Sequence, residues 1–363
     1  MGMHKEGKTM TISATQKLIR QMTADRKPDW IIIEAYMNVI VKHGGLEDAK
    51  ALFELWMALP EDYRNELLLR GIGAHGDTEL AQRLYTYGIE RGKLKAGLPD
   101  ETLLTLGYMG VEKATEELLQ MVSIDNWYVS ANACLGLLHL SCASCEEEIR
   151  EMLKASFGKG LFEEFLPVLA HKVADRSIVP ELFEWGETTA SVDCNAGLIL
   201  GIACFGVEEK ETIRRILWSP NWEAHGTATG TCYWTCIAMQ HVGLTFAEMV
   251  EDVKKIAKQA GAERDLKYML DVLETLMVHR LTYSYNPIRF IKNSEETTVE
   301  WYNALFDWYP QETGEYGAIT DLILKRLPEE QELLRRYYEL KSKLEIAILR
   351  DMEIEFGKEK GRE

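Results

Sequence analysis

A single pattern recurs along most of the chain. An apolar helical segment ends, a short break follows, and a second helical segment opens, usually with acidic residues. The predicted second segments begin 31 to 37 residues apart, at Leu46, Thr78, Glu112, Glu146, Ser177, Glu208 and Thr245. A recurrence of this length is typical of α-helical repeat proteins.

The recurrence also constrains how the chain buries its apolar residues. A helix pair with apolar residues on two sides cannot bury both sides alone, so successive pairs stack. The 363 residues exceed what one compact core usually serves, and sustained strand-like alternation is nearly absent. We therefore predict an all-α fold. An α-solenoid of about seven stacked helix pairs spans 29–261, after an N-terminal helix or extension at 1–28 and before a helical C-terminal cap at 262–363.

Two of the predicted units are similar to each other. The run NACLGLL begins at Asn132 and the run NAGLILG begins at Asn195. We expect the two asparagines to be equivalent, each either bonding the backbone of the next unit or facing solvent. Trp127 and Trp222 are expected to be equivalent as well, near the starts of their helices. Small residues in these runs, such as Gly136, let neighbouring helices approach closely.

The segment DNWYVSANACLGLL, starting at Asp125, resembles the first-to-second helix segment of HEAT-like repeats, and PNWEAHGTATG, starting at Pro220, resembles a degenerate copy. The resemblance covers roughly Asp29 to Gly261. The run GLEDAKALF, starting at Gly45, is equally similar to tetratricopeptide and pentatricopeptide repeats. These resemblances imply a scaffold that binds other macromolecules, and they carry over no catalytic residue.

After Gly261 the pattern changes. Residues Glu263 to Thr282 are predicted to form a long helix, followed by an irregular segment from Tyr283 to Ser294. Aromatic residues are dense between Tyr283 and Tyr316, and we favour a role in the core over a role in an interface. An amphipathic helix is predicted from Pro328 onward.

Charge is unevenly distributed. The net charge is −17, and residues 98–251 hold 23 acidic and 9 basic side chains. Acids favour the first turn of a helix, which explains their placement but not the shortage of basic residues. Stacking would align the acids into a partner-binding surface, although solubility alone is the alternative. The candidate surface residues are Glu112, Glu116, Glu117, Glu146, Glu147, Glu148, Glu151, Glu208, Glu209 and Glu211.

Several functional classes are disfavoured. The negative net charge would repel nucleic acid, and no stretch approaches the ~20 apolar residues of a membrane span. Glycine-rich phosphate loops and nucleophile motifs are absent from the sequence, and no His is followed by Glu, as repeated iron-binding pairs require. No cofactor is expected.

Seven cysteines, an odd number in mostly apolar runs, favour reduced thiols and a cytoplasmic location. Cys142 with Cys145, and Cys232 with Cys236, have spacings found in zinc sites. The two pairs are far apart in sequence, so we favour buried, metal-free thiols.

We therefore predict a protein-binding scaffold, an adaptor or an inhibitor, that presents an acidic helical-repeat surface to a basic protein. Catalysis is the less favoured reading, and the oligomeric state stays open. The alternative is an enzyme or small-ligand-binding protein with a pocket between the solenoid and the aromatic-rich C-terminal region. That pocket would be lined by His225, Thr229, Cys232, Trp301 and Trp308.

Overall fold

The computed structural model describes residues 14–24, 30–64, 66–157, 164–189, 193–282, 285–286 and 291–292. The protein is predominantly helical with little sheet, which confirms the predicted all-α class. Among the described residues, no helix is both long and apolar enough to cross a membrane.

Sixteen helical segments are numbered here in chain order. The first, α1, covers 14–22 within the described residues. The others are α2 (Trp30–His43), α3 (Leu46–Ala58), α4 (Glu66–His75), α5 (Thr78–Gly88), α6 (Glu101–Tyr108), α7 (Thr115–Val122), α8 (Trp127–Leu138), α9 (Glu146–Ser156), α10 (Ala170–Val173), α11 (Val179–Thr188), α12 (Asp193–Ala203), α13 (Lys210–Trp218), α14 (Thr231–Val242), α15 (Phe246–Ala257) and α16 (Glu263–Thr282).

Short 3-10 turns and strands complete the described secondary structure. The 3-10 turns are Glu61–Tyr63, Glu112–Ala114, Leu166–Leu169, Arg176–Ile178, Val207–Glu209 and Pro220–Trp222. The strands pair antiparallel as two small ladders, β1 (Ile89–Glu90) with β2 (Lys93–Leu94) and β3 (Tyr285–Asn286) with β4 (Ile291–Lys292).

The predicted starts of the second helices agree closely with the structure. Leu46, Thr78 and Glu146 are the first residues of α3, α5 and α9. Thr245 caps α15, because its hydroxyl accepts a hydrogen bond from the backbone N–H of Glu248. The remaining three second helices, α7, α11 and α13, each follow directly on a 3-10 turn that contains the predicted start. The helix predicted from Glu263 to Thr282 is α16.

Helices of neighbouring pairs contact one another in chain order. The first helices of successive pairs meet as α2 with α4, α4 with α6, α6 with α8, and α12 with α14. The 3-10 turn Leu166–Leu169, which leads into α10, bridges α8 and α12, and α14 in turn contacts α16. The described part of the chain therefore has most of its helix contacts between elements close in sequence.

Polar bonds join these neighbouring pairs at a similar sequence separation. Arg83 pairs with Glu54, 29 positions away, in α3. Lys172 donates to the Leu140 carbonyl over 32 positions, at 2.7 Å, and Arg214 pairs with Asp252 over 38 positions. Each bond spans roughly one of the periods seen in the sequence.

Glycines allow α6 and α8 to cross at a short distance. A Cβ atom added to Gly107 would fall well inside van der Waals contact of the Gly136 backbone, and one added to Gly136 would lie 2.6 Å from the Leu103 carbonyl oxygen. Since both obstacles are backbone atoms, no side-chain rotation relieves them. The predicted role of Gly136 in close helix approach is confirmed.

The predicted equivalence of the two asparagines is only partly correct. Asn195 is buried, and its Nδ2 donates to the Trp222 carbonyl at 2.7 Å. This bond joins α12 to the backbone of the next unit, which is the first of the two predicted alternatives. Asn132 instead donates to the Tyr128 carbonyl of its own helix at 3.0 Å. A bond within one helix adds nothing between units.

The predicted equivalence of Trp127 and Trp222 is wrong. Trp127 is the first residue of α8 and is 39% exposed, whereas Trp222 ends a 3-10 turn well before α14 and is 0% exposed. Asn126 caps α8 through Val129 N–H at 3.3 Å, while Asn221 donates to Glu187 in α11 at 2.7 Å. The same Asn-Trp dipeptide therefore makes different local structures because its asparagine has a different partner.

One continuous hydrophobic core runs through the described residues. It includes Ala14 and Leu18 of α1, and the Thr15 hydroxyl donates to buried Asp48 of α3 at 2.7 Å. The segment predicted as an N-terminal extension thus packs, where it is described, against the first helix pairs. Most of the predicted C-terminal cap after Thr282 lies outside the described residues.

Candidate binding pocket

A pocket of about 240 Å³ opens between four helices, α4, α6, α8 and α14. Three of these are the first helices of consecutive pairs, and the fourth comes three pairs after α8. We call this space the aromatic pocket, because Trp127, Tyr128, Tyr233 and Trp234 line it. The close contacts among the first helices therefore bring together residues that are far apart in sequence.

The aromatic rings that line the pocket form a continuous series. Trp127 lies edge-on to Tyr128, with ring centroids 4.8 Å apart, and Tyr233 lies 4.9 Å from Trp234. Phe165, which is 1% exposed, contacts both groups, at 6.1 Å from Trp127 and 4.7 Å from Trp234. Edge-to-face ring pairs of this kind hold one another in place. The pocket wall is therefore preorganised by ring-on-ring packing.

Tyr128 is unusually exposed for an aromatic residue. Its exposed fraction is 63%, and that of Trp127 beside it is 39%. Large apolar groups exposed next to a cavity mark binding surfaces more often than isolated ones do. These two side chains are thus the most exposed aromatic residues of the pocket wall.

Three charged residues also line the pocket, Glu66 and Arg70 from α4 and Glu101 from α6. Burial raises the pKa of Glu101, a backbone hydrogen bond lowers it, and the charges of Glu66 and Asp100 raise it. The positive charge of Arg70 lowers the pKa of Glu101, and the net effect of all these groups is a raised pKa. Two carboxylates against one guanidinium leave the lining with one negative charge in excess.

No match to the chain was found among protein-family models, curated proteins or solved structures.

Replacing Glu101 with glutamine should stabilise the protein at neutral pH. The pKa of Glu101 is higher in the folded than in the unfolded state, so the folded state holds this proton more tightly. Protonated Glu101 therefore adds to the stability of the fold below the pKa that this residue has in the unfolded chain. That contribution is lost as the pH rises through its pKa in the folded protein. At pH 7 the ionised carboxylate opposes folding, and a neutral amide removes that cost. Thermal unfolding should therefore show a higher Tm for Glu101→Gln at pH 7.

The stabilisation by Glu101→Gln should shrink below the ordinary Glu pKa of 4.5, where the carboxyl is protonated in both states. Glu90→Gln, on the exposed strand β1, serves as the control and should leave the Tm almost unchanged at both pH values. An equal Tm gain for Glu101→Gln at pH 7 and at pH 4 would show that the effect does not come from ionisation.

The ten acidic residues predicted to form a partner surface lie at or near the starts of α7, α9 and α13. Three of them bind neighbouring segments of this chain. Glu112 accepts from the backbone N–H of Ser141 at 3.1 Å, and Glu117 accepts from the Tyr85 hydroxyl at 2.8 Å. Glu209 is 1% exposed and pairs with Arg176, so it has a structural role and is not available to a partner.

Three others pair with basic residues of their own helix. The carboxylates of Glu147, Glu151 and Glu211 lie 3.4, 2.9 and 3.2 Å from Arg150, Lys154 and Arg214 respectively. Ion pairs of this exposed kind contribute little to stability. These three residues are exposed on the surface, and so are the remaining four, Glu116, Glu146, Glu148 and Glu208.

Three of the predicted surface acids affect the pKa of a single thiol, that of Cys145. Burial raises the pKa of the Cys145 thiol and a hydrogen bond with Cys142 lowers it, while the carboxylates of Glu148, Glu116 and Glu146 raise it further. Glu116 belongs to α7 and the other two to α9, so acids from consecutive helix pairs act on the same thiol.

The residues of the alternative pocket are only partly described. Trp301 and Trp308 lie outside the described residues. Cys232 is 1% exposed, so it does not line an open pocket, and burial raises the pKa of its thiol to about 11. His225 is half-buried against the Tyr268 ring, with centroids 5.4 Å apart, and Thr229 bonds the Thr231 hydroxyl at 2.7 Å. The enzyme alternative stays a prediction.

None of the seven cysteines, all of which are described, forms a disulfide. Burial raises the pKa of the Cys142 thiol to about 12, which disfavours the thiolate that a metal needs. Within the described part of the chain no group of three or more His, Cys, Asp or Glu side chains is placed to hold a metal ion.

The sequence analysis missed the aromatic pocket. A signal was nevertheless present, because Trp127-Tyr128 and Tyr233-Trp234 are adjacent aromatic pairs near the starts of first helices. Side chains at adjacent helix positions point in directions about 100° apart, so both rarely fit into one core. Such a pair indicates that at least one ring lies at a surface.

Proposed function

We propose that the chain is an α-solenoid of HEAT-like repeats that acts as a protein-binding scaffold for a basic partner. The architecture is supported by helix pairs that contact each other in chain order and by polar bonds that span about one period. Each pair buries its apolar sides against its neighbours, as repeat proteins do.

The observation that carries the choice of partner is the excess of exposed acids at the starts of successive second helices. Glu116 of α7 and Glu146 and Glu148 of α9 are all exposed. They belong to residues 98–251, where acidic side chains exceed basic ones by 14. A surface of one sign attracts partners of the opposite sign and speeds their association. Adaptors and inhibitors of basic proteins both use such a surface.

The proposal is tested with a fluorescein-labelled peptide of alternating lysine and serine. The triple variant Glu146→Gln, Glu147→Gln and Glu148→Gln should slow its association about tenfold in stopped-flow anisotropy, because each exposed charge contributes roughly 0.2–1 kcal/mol. The association rate of the unmodified protein should fall as salt is raised, since the screening length is only about 8 Å at physiological ionic strength. Helicity should not change, because the three side chains are exposed.

A matched control removes three charges elsewhere. Asp62→Asn, Glu79→Gln and Glu90→Gln alter exposed acids outside 98–251 and change the net charge by the same amount. This control should slow association far less than the α9 triple variant. Equal slowing by the two triple variants, or binding that ignores salt, would mean that the acids only keep the protein soluble.

A further inference from the structure

The aromatic pocket has the size of a side-chain site. Its volume of about 240 Å³ lies below the roughly 300–1,000 Å³ typical of sites for drug-sized molecules and cofactors. A pocket of this size on a binding surface fits one large side chain of a partner.

Charge and aromatic character together select the chemistry of that side chain. Glu66 and Glu101 supply two carboxylates against the single guanidinium of Arg70, so a second cation would balance the lining. The accessible rings of Trp127 and Tyr128 offer π faces, which attract cations. Neither feature favours an acidic or a small polar side chain.

We propose that the aromatic pocket binds an arginine side chain of the partner, with its guanidinium between the rings of the wall and the carboxylates of Glu66 and Glu101. Arginine is favoured over lysine because its planar guanidinium both stacks on aromatic faces and bonds carboxylates with two parallel N–H groups. The inference rests on the proposed function, since it names the residue by which a basic partner is recognised.

The test uses three nine-residue peptides of serine and glycine that differ only at the central position, which is arginine, citrulline or lysine. Citrulline keeps the shape of arginine but carries no charge. Isothermal titration calorimetry to millimolar peptide should show the arginine peptide binding about tenfold or more tightly than the citrulline peptide, because hydrogen bonds to charged groups are the stronger ones. The lysine peptide should bind with intermediate affinity.

Variants then locate the arginine peptide. Glu101→Gln keeps the shape of the pocket and should weaken arginine-peptide binding about tenfold, with little effect on the citrulline peptide. Tyr128→Ala removes a ring that is 63% exposed, so the fold should tolerate it, and should weaken binding about two- to fivefold. The control is Val207→Ala, which truncates an apolar side chain that is 64% exposed and lies outside the pocket lining, and should leave binding unchanged.

Equal affinities for the arginine and citrulline peptides would overturn the inference. So would arginine-peptide binding that survives both pocket variants but is lost in the triple variant Glu146→Gln, Glu147→Gln and Glu148→Gln. In that case the peptide binds the acids of α9, and the proposed function stands without an arginine pocket. The reverse outcome is also distinguishable. If arginine binding depends on the pocket but association of the lysine-serine peptide does not respond to salt, the proposal of an acidic partner surface fails and the arginine site stands.

Discussion

Replacing Gly107 with alanine should destabilise the protein by about 1–3 kcal/mol, although alanine is the better helix former by about 1 kcal/mol. The new methyl group would meet the backbone of Gly136 where α6 crosses α8, and no side-chain rotation relieves that contact. Either the crossing widens and loses packing, or the backbone deforms. Urea unfolding followed by circular dichroism should therefore show a lower midpoint for Gly107→Ala.

Gly45→Ala is the matched control. Gly45 precedes α3 with an extended backbone, φ −157°, and a Cβ added there would have no heavy atom within 4 Å. This substitution should change stability by less than about 1 kcal/mol, the range expected for a change at a helix N-cap. If Gly107→Ala instead raises the unfolding midpoint, as helix propensity alone predicts, then α6 and α8 do not approach through their glycines.

Truncating Trp222 to alanine should have a still larger effect, a loss of about 3–5 kcal/mol. The ring is fully buried, lies against Gly186 of α11, and packs on Phe183 with centroids 5.6 Å apart. Its Nε1 also donates to Glu187 at 2.9 Å. Alanine would leave a cavity between α11 and the turn that follows α13, and it would remove the bond to Glu187. The measurement is again urea unfolding.

Two further tryptophan variants separate the causes. Trp222→Phe keeps most of the buried ring but loses the bond to Glu187, so its cost should be smaller than that of alanine. Trp127→Ala removes a ring that is 39% exposed and should cost much less than Trp222→Ala. If Trp127→Ala and Trp222→Ala prove equally destabilising, then the difference in burial between the two rings is not the controlling factor.

Local signals in the sequence were enough to predict where several of the helices start. Leu46 and Thr78 follow glycine or aspartate at a break, and these residues favour helix starts whatever lies elsewhere in the chain. The start of α16 was predicted to the residue for the same reason, since acids at Glu263 and Asp265 mark its first turn. Signals of this kind act over a few positions and are visible in one sequence.

Contacts between units could not be predicted in the same way. Glu209 was assigned to the surface because it lies among acids, yet it is buried and pairs with Arg176, 33 positions away. The aromatic pocket likewise depends on Trp234 lying near Phe165, which no local pattern encodes. Trp222 was misplaced because the bond from Asn221 to Glu187 competes with capping of a new helix. Which partner an asparagine or a glutamate finds depends on packing between units.

The bonds between Arg83 and Glu54, Lys172 and Leu140, and Arg214 and Asp252 have a consequence for how the chain folds. Each closes a loop of 29 to 38 residues, so each costs a similar and modest amount of chain entropy. Contacts that close loops of this length form at a small entropic cost, and a chain rich in such contacts is expected to fold rapidly.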